Sequence, residues 1–574
     1  MTHKQSLSWK IGGEASFGIK ASGTMLGKIF MRAGYEVFDY TEYPSLIRGG
    51  HNTFQVCVAD QAINSIAHGL DILVALNQET IDKHLAELSP AGLLIFDQDQ
   101  VKFKKAKINS LGIPLTELAK QAGGDIMRNV VAIGATLALV KQNLSLARQV
   151  VKQNFKSKGE KIVNNNLAAL QLGYDHAKQN FSSEFVCQLP KKSAEDNMLI
   201  SANEAAALGA LAGGLNFYVA YPMTPSSSIL HFLAAHAIKT GTVVKHAEDE
   251  IAVINMALGA SLAGARAMVA TSGGGFALMV ESLGLTGLTE TPLVIIDVQR
   301  PGPATGLPTW TEQGDLQFVL RAAQGDFPRI ILAPGDTEEA FYLTAEAMNL
   351  AETYQVPVII LLDKFISEGS TTVPKFNTKH IKIQRGKLLT QNQLNKIKDY
   401  QRYQITKDGI SPRALPGMPK GLYVANSDEH DTHGFSNEGA DNRVEQVDKR
   451  QRKLDTFAEH MPLPKILGNP KAKKTVVIWG STKGPIKDAY HSLPDSKQKQ
   501  IKIMQLQYIW PFPAEFVRNI LGSSKKVLLI ENNSNAQLGQ LIAQETGIKI
   551  DNQLLKYNGR PFFTEEILSA LNDF

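Results

Sequence analysis

The chain opens with WKIGGEASFGIKASGTMLGKIFMRAGYEVF, where a short apolar run meets a glycine-rich turn and apolar positions then recur at three- and four-residue spacing. That change of period predicts a strand, a turn, a helix and another strand, a βαβ opening. Further strands are predicted at DILVAL and GLLIFD, and a Lys/Asn/Gln-rich helical stretch from Leu144 to Gln179 closes this region. From Met198, the segment MLISANEAAALGALAGGLNFYVAYPMTPSS reads as helix, strand and loop. TVVKHAEDEIAVINMALGASLAGARAMVATSGGGFALM reads as strand, acidic turn, small-residue helix, strand, glycine turn and helix, followed by strands at PLVIIDVQR, RIILAPG and PVIILLDK. Valine- and isoleucine-rich runs alternating with helices predict a parallel sheet covered on both faces. Such sheets bind ligands beyond the carboxyl ends of their strands, where YPMTPSS, TSGGG and QRPGPATG fall. From about Phe376 to Pro470 the pattern loosens into a polar excursion that ends in a charged helix, and TVVIWGS, IKIMQLQ and KVLLIEN then mark a further small α/β region. The predicted units are 1–185, 198–375, 376–470 and 471–574.

A length of 574 residues agrees with three or four domains of about 150 residues each. With 43% hydrophobic and 20% charged residues the composition is that of a globular protein. No apolar run reaches the roughly 18 residues that span a bilayer, and MTHKQSLSWKIGG lacks a signal-peptide core, so a cytoplasmic protein without a membrane segment is expected. The net charge of +5 is small and its lysines are scattered, which argues against nucleic acid as a partner. Cys57 and Cys187 are the only cysteines, too few for a disulfide framework or for the thiolates of an iron–sulfur cluster. Gly12, Gly13 and Gly18 do not fit the dinucleotide fingerprint. His430 and His433 have no third ligand nearby in sequence, so no metal site is expected in this chain.

Three residues carry candidate chemistry. Pro222 and Pro225 each push the preceding residue toward an extended conformation, so Tyr221 and Thr224 are held open and Thr224 is presented at a strand end. Ser226, Ser227 or Ser228 can cap the next helix, whose N-terminus suits an anion, although an ordinary strand-to-helix turn uses the same residues. Glu250 lies where an acidic turn meets a helix of small and apolar residues, so its carboxylate is expected along a buried surface. The helix dipole alone also favours an acid there, as it does for Glu248 and Asp249. Arg300 ends PLVIIDVQR just before Pro301 and Pro303, placed either to hold a carboxylate or to project from a loop. Thr224, Glu250 and Arg300 are expected at three successive strand ends of one sheet.

In their order along the chain, Tyr221-Pro222-Met223-Thr224-Pro225-Ser226-Ser227, Glu250 with its small-residue helix, TSGGG and RPGPATGLPTWTEQGDL resemble the alpha subunit of 2-oxoacid:ferredoxin oxidoreductases. EYPSLIRGGHNTFQVCVAD resembles the family's gamma subunit, fused here ahead of alpha, and GSTKG, LQYIWPFP, LLIENN, GQL and YNGRPF resemble its transketolase-C-like domain. The resemblance covers nearly the full chain and implies an α/β protein: a gamma-type α/β domain, a thiamine-diphosphate-binding-fold (pyrimidine) domain with a parallel sheet, and a transketolase-C-like α/β domain. It implies that Glu250 is catalytic, hydrogen-bonding the aminopyrimidine of thiamine diphosphate, and that Thr224 and Arg300 hold the substrate carboxylate. Tyr221, Pro222, Ser272 and Gly273 match cofactor-lining positions, and Arg48 and Gly49 match a segment associated with coenzyme A. The implied reaction is oxidative decarboxylation of a 2-oxoacid to an acyl-CoA, with electrons passed to ferredoxin. The sequence has no Gly-Asp-Gly element to anchor a magnesium-bound diphosphate. The resemblance therefore implies a beta subunit that shares the thiamine diphosphate and carries Mg2+ and a [4Fe–4S] cluster. SDEHDTHG resembles the branch that uses 2-oxoglutarate, whereas Trp310 stands where many of those relatives have a basic residue. A non-catalytic assembly or regulatory subunit, and a non-redox thiamine-dependent transferase component, are the alternative readings.

Overall fold

In the computed structural model, which describes residues 6–46, 49–104, 108–181, 189–190, 192–193 and 196–574, strand β1 (Ser6–Glu14) is buried from Leu7 to Gly13. It is followed by β2 (Glu36–Glu42), β3 (His51–Ala59), β4 (Leu70–Ala75), β5 (Leu88–Asp97), β6 (Ser110–Ile113) and β7 (Asn197–Ser201). Next come β8 (Phe217–Ala220), β9 (Val243–His246), β10 (Ala267–Thr271), β11 (Leu293–Gln299), β12 (Ile330–Leu332), β13 (Pro357–Asp363) and β14 (Ser370–Pro374). The remaining strands are β15 (Lys465–Gly468), β16 (Lys474–Trp479), β17 (Ile501–Leu506), β18 (Tyr508–Trp510), β19 (Lys526–Glu531) and β20 (Gln553–Leu555).

These strands form three sheets, ordered β6-β5-β4-β1-β3-β2-β14-β7, β18-β12-β13-β11-β10-β8-β9 and β15-β17-β16-β19-β20. The opening strand–helix–strand is present, but β3 lies between β1 and β2 and runs antiparallel to both, so the parallel neighbour of β1 is β4. In the second sheet β8 to β13 are parallel, and Ile295, Ile296, Ile359 and Ile360 are wholly buried, as expected for strands covered on both faces.

The sheets cross the boundaries predicted between units. Met198 to Ile200, expected to be helical, lie in β7, which pairs antiparallel with β14 at the edge of the first sheet. The helix begins only at Ala202, where Ser201 and Glu204 form a reciprocal capping box that fixes its start. Likewise β18 leaves the C-terminal region and adds antiparallel to β12 at the edge of the second sheet. Helix Ala202–Ala212 packs on helix Thr337–Tyr354 so closely that a Cβ at Gly209 would overlap the Phe341 carbonyl. Among the described residues no helix is long and apolar enough to cross a membrane.

The excursion over 376–470 is anchored by buried charge. Helix Ala440–Ala458 sends Lys449 and Lys453, both fully buried, onto the carboxylate of Glu290; the Lys453 contact is 2.6 Å. Arg402 donates to the Glu290 carbonyl at 2.8 Å, while Arg413 and Arg385 grip buried Glu352 at 2.7 and 3.0 Å. Burial alone would raise Glu290, yet the two ammoniums and Arg402 hold it well below the usual carboxylate range. His430 is buried against the Asp428 carbonyl, and His433 pairs with Asp399 at 3.0 Å. Removing one partner of a buried ion pair leaves charge uncompensated, so Glu290→Gln is expected to destabilise the chain by about 3–5 kcal/mol in denaturant unfolding. A loss below about 1 kcal/mol would show that the pair does not anchor the excursion.

Candidate functional site

The carboxyl ends of β11, β10, β8 and β9 lie side by side in that order. The three predicted strand ends are therefore not successive: β10, followed by Ser272 and Gly273, lies between those that lead to Arg300 and Thr224. Thr224 and Arg300 nevertheless meet directly, because Arg300 Nη1 donates to the Thr224 carbonyl at 2.6 Å. The Thr224-Pro225 bond is cis. Ser226 occupies the cap position of helix Ser227–Thr240 but makes no side-chain cap bond; its hydroxyl donates back to the Met223 carbonyl at 2.7 Å. Tyr221 and Pro222 are exposed, with the Tyr221 ring 6.3 Å from that of His246.

Glu250 is the first residue of helix Glu250–Leu262, behind Asp249, whose side chain accepts the Ala252 N–H at 2.8 Å. Glu250 is 3% exposed and its Oε1 finds no donor. A Cβ at Gly275 would come within 2.6 Å of that oxygen, so only glycine leaves this approach open. Ser272 is fully buried at the cap position of helix Gly273–Leu288, and its hydroxyl is also without a partner. Both are buried polar oxygens without a partner near strand ends of one sheet, a state that a polar ligand satisfies and an apolar core does not.

An acidic pair lies on β11 and the loop after it. Asp297 on β11 is fully buried, finds no N–H or O–H donor, and faces the carboxyl of Asp315. Asp315 in turn lies against the start of helix Gly273–Leu288, where a Cβ at Gly273 would come within 2.5 Å of it. Burial, then repulsion from Asp315, pushes Asp297 well above the usual carboxyl range; burial pushes Asp315 to about 6, with Arg300 pulling the other way. Burial lowers Arg300, and Asp315, Asp297 and Glu250 partly restore it. Two buried carboxyls this close share a proton and titrate as a unit.

The loop after Arg300 is held from three sides. Thr309 Oγ1 donates to the Tyr43 carbonyl at 2.6 Å, which ties it to the EYPSLIRGG segment of the first sheet. Thr311 Oγ1 bonds Asp363 at 3.1 Å, and Gln313 Nε2 donates to the Trp479 carbonyl at 2.8 Å. Gly49 has φ +72 with open space around it, and Arg48 lies outside the described residues. Asp297, Asp315 and Gln313 escaped the sequence reading, although an aspartate inside the buried run LVIIDVQ is itself a signal, since parallel strands covered on both faces rarely carry an isolated acid.

Residues 208–449 match the family described as pyruvate flavodoxin/ferredoxin oxidoreductase, thiamine diP-binding. Residues 8–176 match pyruvate ferredoxin/flavodoxin oxidoreductase, and residues 472–567 match pyruvate:ferredoxin oxidoreductase core domain II. These matches define an oxidoreductase subunit with a thiamine diphosphate-binding domain. The chain is 34% identical to the 2-oxoacid:ferredoxin oxidoreductase subunit alpha of Saccharolobus solfataricus, covering 98% of this chain and 97% of that one. It is 29% identical to the 2-oxoglutarate oxidoreductase subunit KorA of Mycobacterium tuberculosis, over 97% and 90% of the two chains. A solved 2-oxoglutarate:ferredoxin oxidoreductase from Magnetococcus marinus, with 2-oxoglutarate, coenzyme A and succinyl-CoA bound, superposes with a TM-score of 0.92 at 32% identity, covering all of both chains. The chain belongs to the 2-oxoacid:ferredoxin oxidoreductase alpha-subunit family, with the gamma-type domain fused at its N-terminus.

Because both aspartates titrate above their ordinary value of 3.8 in the folded chain, the stability that their protonated forms contribute is complete below about pH 4 and is lost as pH rises, through about 6 for Asp315 and higher for Asp297. The double variant Asp297→Asn/Asp315→Asn lacks this dependence. Denaturant unfolding is expected to show the wild type losing stability relative to the variant between about pH 4 and 7; a constant difference across that range contradicts the shared-proton assignment.

Proposed function

We propose that this chain is the alpha subunit, with gamma fused, of an oxidoreductase that decarboxylates 2-oxoglutarate to its acyl-CoA and passes electrons to ferredoxin through a partner beta subunit. The observation that carries this reading is the buried Glu250 oxygen without a donor, aimed past Gly275 within the thiamine diP-binding match. A carboxyl so placed fits the ring nitrogen of an aminopyrimidine, which would complete the hydrogen bond that Glu250 lacks. Ser272, Gly273, Tyr221 and Pro222 are assigned to the same cofactor site. When bound, thiamine diphosphate supplies the carbon nucleophile and the electron sink for decarboxylation.

The roles of this chain's own residues follow from their positions. Glu250 holds or moves a proton at the pyrimidine nitrogen. Arg300 commits one Nη to the Thr224 carbonyl and keeps its other N–H groups for the substrate carboxylate, a charged hydrogen bond of roughly 1.5–3 kcal/mol. That bond also fixes where Thr224 is presented. Arg48 and Gly49 are assigned to coenzyme A, in a segment tied to the substrate loop through Tyr43 and Thr309.

A partner is required because the sequence supplies neither a Gly-Asp-Gly anchor for the magnesium-bound diphosphate nor the cysteines of a [4Fe–4S] cluster. Ile251, Met256 and Leu278, each more than 40% exposed on the two helices that flank Glu250 and Gly275, give that partner an apolar face to cover.

Glu250→Gln, assayed with the beta subunit by viologen reduction, is expected to lower turnover about 10²–10⁴-fold, the range of a positioned acid–base group, while the two chains still co-purify. Unchanged turnover removes Glu250 from the chemistry.

A further inference from the structure

The loop that begins at Arg300 folds back on itself, since Leu307 N–H donates to the Pro301 carbonyl at 3.0 Å and Trp310 N–H to the Leu307 carbonyl at 3.1 Å. Trp310 is therefore carried back toward the strand end that bears Arg300. The C-terminal YNGRPF segment meets it there: Thr311 N–H donates to the Gly559 carbonyl at 3.1 Å, and a Cβ at Gly559, whose φ is +77, would lie 3.0 Å from Leu307 and 3.3 Å from Trp310. Glycine at 559 lets the two loops touch, and the next residue, Arg560, lays its guanidinium over the indole of Trp310 at 3.3 Å from the ring centroid.

This guanidinium is oriented but not neutralised. Among the described residues it donates one hydrogen bond, to the Asn558 carbonyl at 3.2 Å, and forms no ion pair with a carboxylate. A nearby cation, Lys364, is spoken for: it is fully buried, donates to the Thr41 carbonyl and lies 3.9 Å from Glu368. Stacking on an aromatic face fixes the plane of an arginine and leaves its edge N–H groups free for a planar anion, the geometry in which arginine takes a carboxylate with two parallel bonds.

We propose that Arg560, held flat by Trp310, is the specificity-determining residue that recognises a second carboxylate on the substrate, so that the site selects dicarboxylic over monocarboxylic 2-oxoacids. Arg300 takes the carboxylate next to the keto group, and Arg560, delivered from the C-terminal sheet, takes the one at the far end. The inference rests on the function proposed above and assigns the choice of substrate to a pair of residues from two different sheets' loops. Trp310 is a positioning residue: it acts only through the orientation it gives Arg560.

The test uses the complex of this chain with its beta subunit and compares kcat/KM for 2-oxoglutarate and for pyruvate in the wild type, Arg560→Gln, Arg560→Lys and Trp310→Leu. For Arg560→Gln the ratio of the two values is expected to drop about 10- to 100-fold, the worth of a charged paired hydrogen bond, mainly through KM for 2-oxoglutarate. Arg560→Lys is expected to recover part of the ratio, and Trp310→Leu to lower it less than Arg560→Gln does. An unchanged ratio overturns the assignment, including the case where both substrates lose equally through misfolding. So does a loss confined to KM for coenzyme A, which would give Arg560 to that ligand's phosphates. A wild-type complex that oxidises pyruvate but not 2-oxoglutarate refutes the inference and leaves the redox function standing, whereas a complex inactive on every 2-oxoacid refutes that function itself.

Discussion

The segment from Arg300 to Asp315 has no helix or strand of its own, and its conformation is imposed by the three sheets around it. Arg300 is fixed by the Thr224 carbonyl, Thr309 by Tyr43 of the first sheet's loops, Thr311 by Asp363 and Gly559, and Gln313 by Trp479 and Asn532. Each of these bonds would be lost if one sheet shifted, so the relative placement of the sheets and the path of this segment are one constraint. The exchange of strands reinforces it. β7 and β14 put both ends of the central region into the first sheet, and β18 puts the C-terminal region onto the second.

Around that segment the electrostatics are arranged in layers. Arg300 feels the charge of Asp315, Asp297 and Glu250. Burial and mutual repulsion raise both carboxyls, so the pair presents less negative charge to Arg300 than two free aspartates would. Asp315 lies against the N-terminal turn of helix Gly273–Leu288, the turn that Ser272 opens.

Much of this was legible in the sequence. The Val- and Ile-rich runs marked the parallel strands of the second sheet, and prolines and glycines marked the turns beyond their carboxyl ends where Thr224, Ser272, Gly273 and Arg300 lie. Glu250 was legible because an acid opening a helix of small residues has few places to go but a buried one. Strand order was not legible, because hydrophobic period reports a strand's exposure and not its neighbour; hence β10 came between strands expected to adjoin, and Met198 to Ile200 proved extended. The helix Ala440–Ala458 was legible as charged, but not that Lys449 and Lys453 point inward, because their partner Glu290 lies some 160 residues earlier in the chain. The Trp310–Arg560 stack is of the same kind: each residue alone reads as a loop residue, and only the approach of two loops gives them a shared role.

The account stands on one contact, between the unpartnered oxygen of Glu250 and the pyrimidine edge of a coenzyme whose diphosphate is held by another chain. A structure of the complex with the beta subunit and thiamine diphosphate measures it directly. The account predicts a Glu250 carboxyl oxygen at hydrogen-bond distance, about 2.6–3.2 Å, from the pyrimidine ring nitrogen. A coenzyme bound away from Glu250, or a Glu250 oxygen still without a partner in the loaded complex, would contradict it.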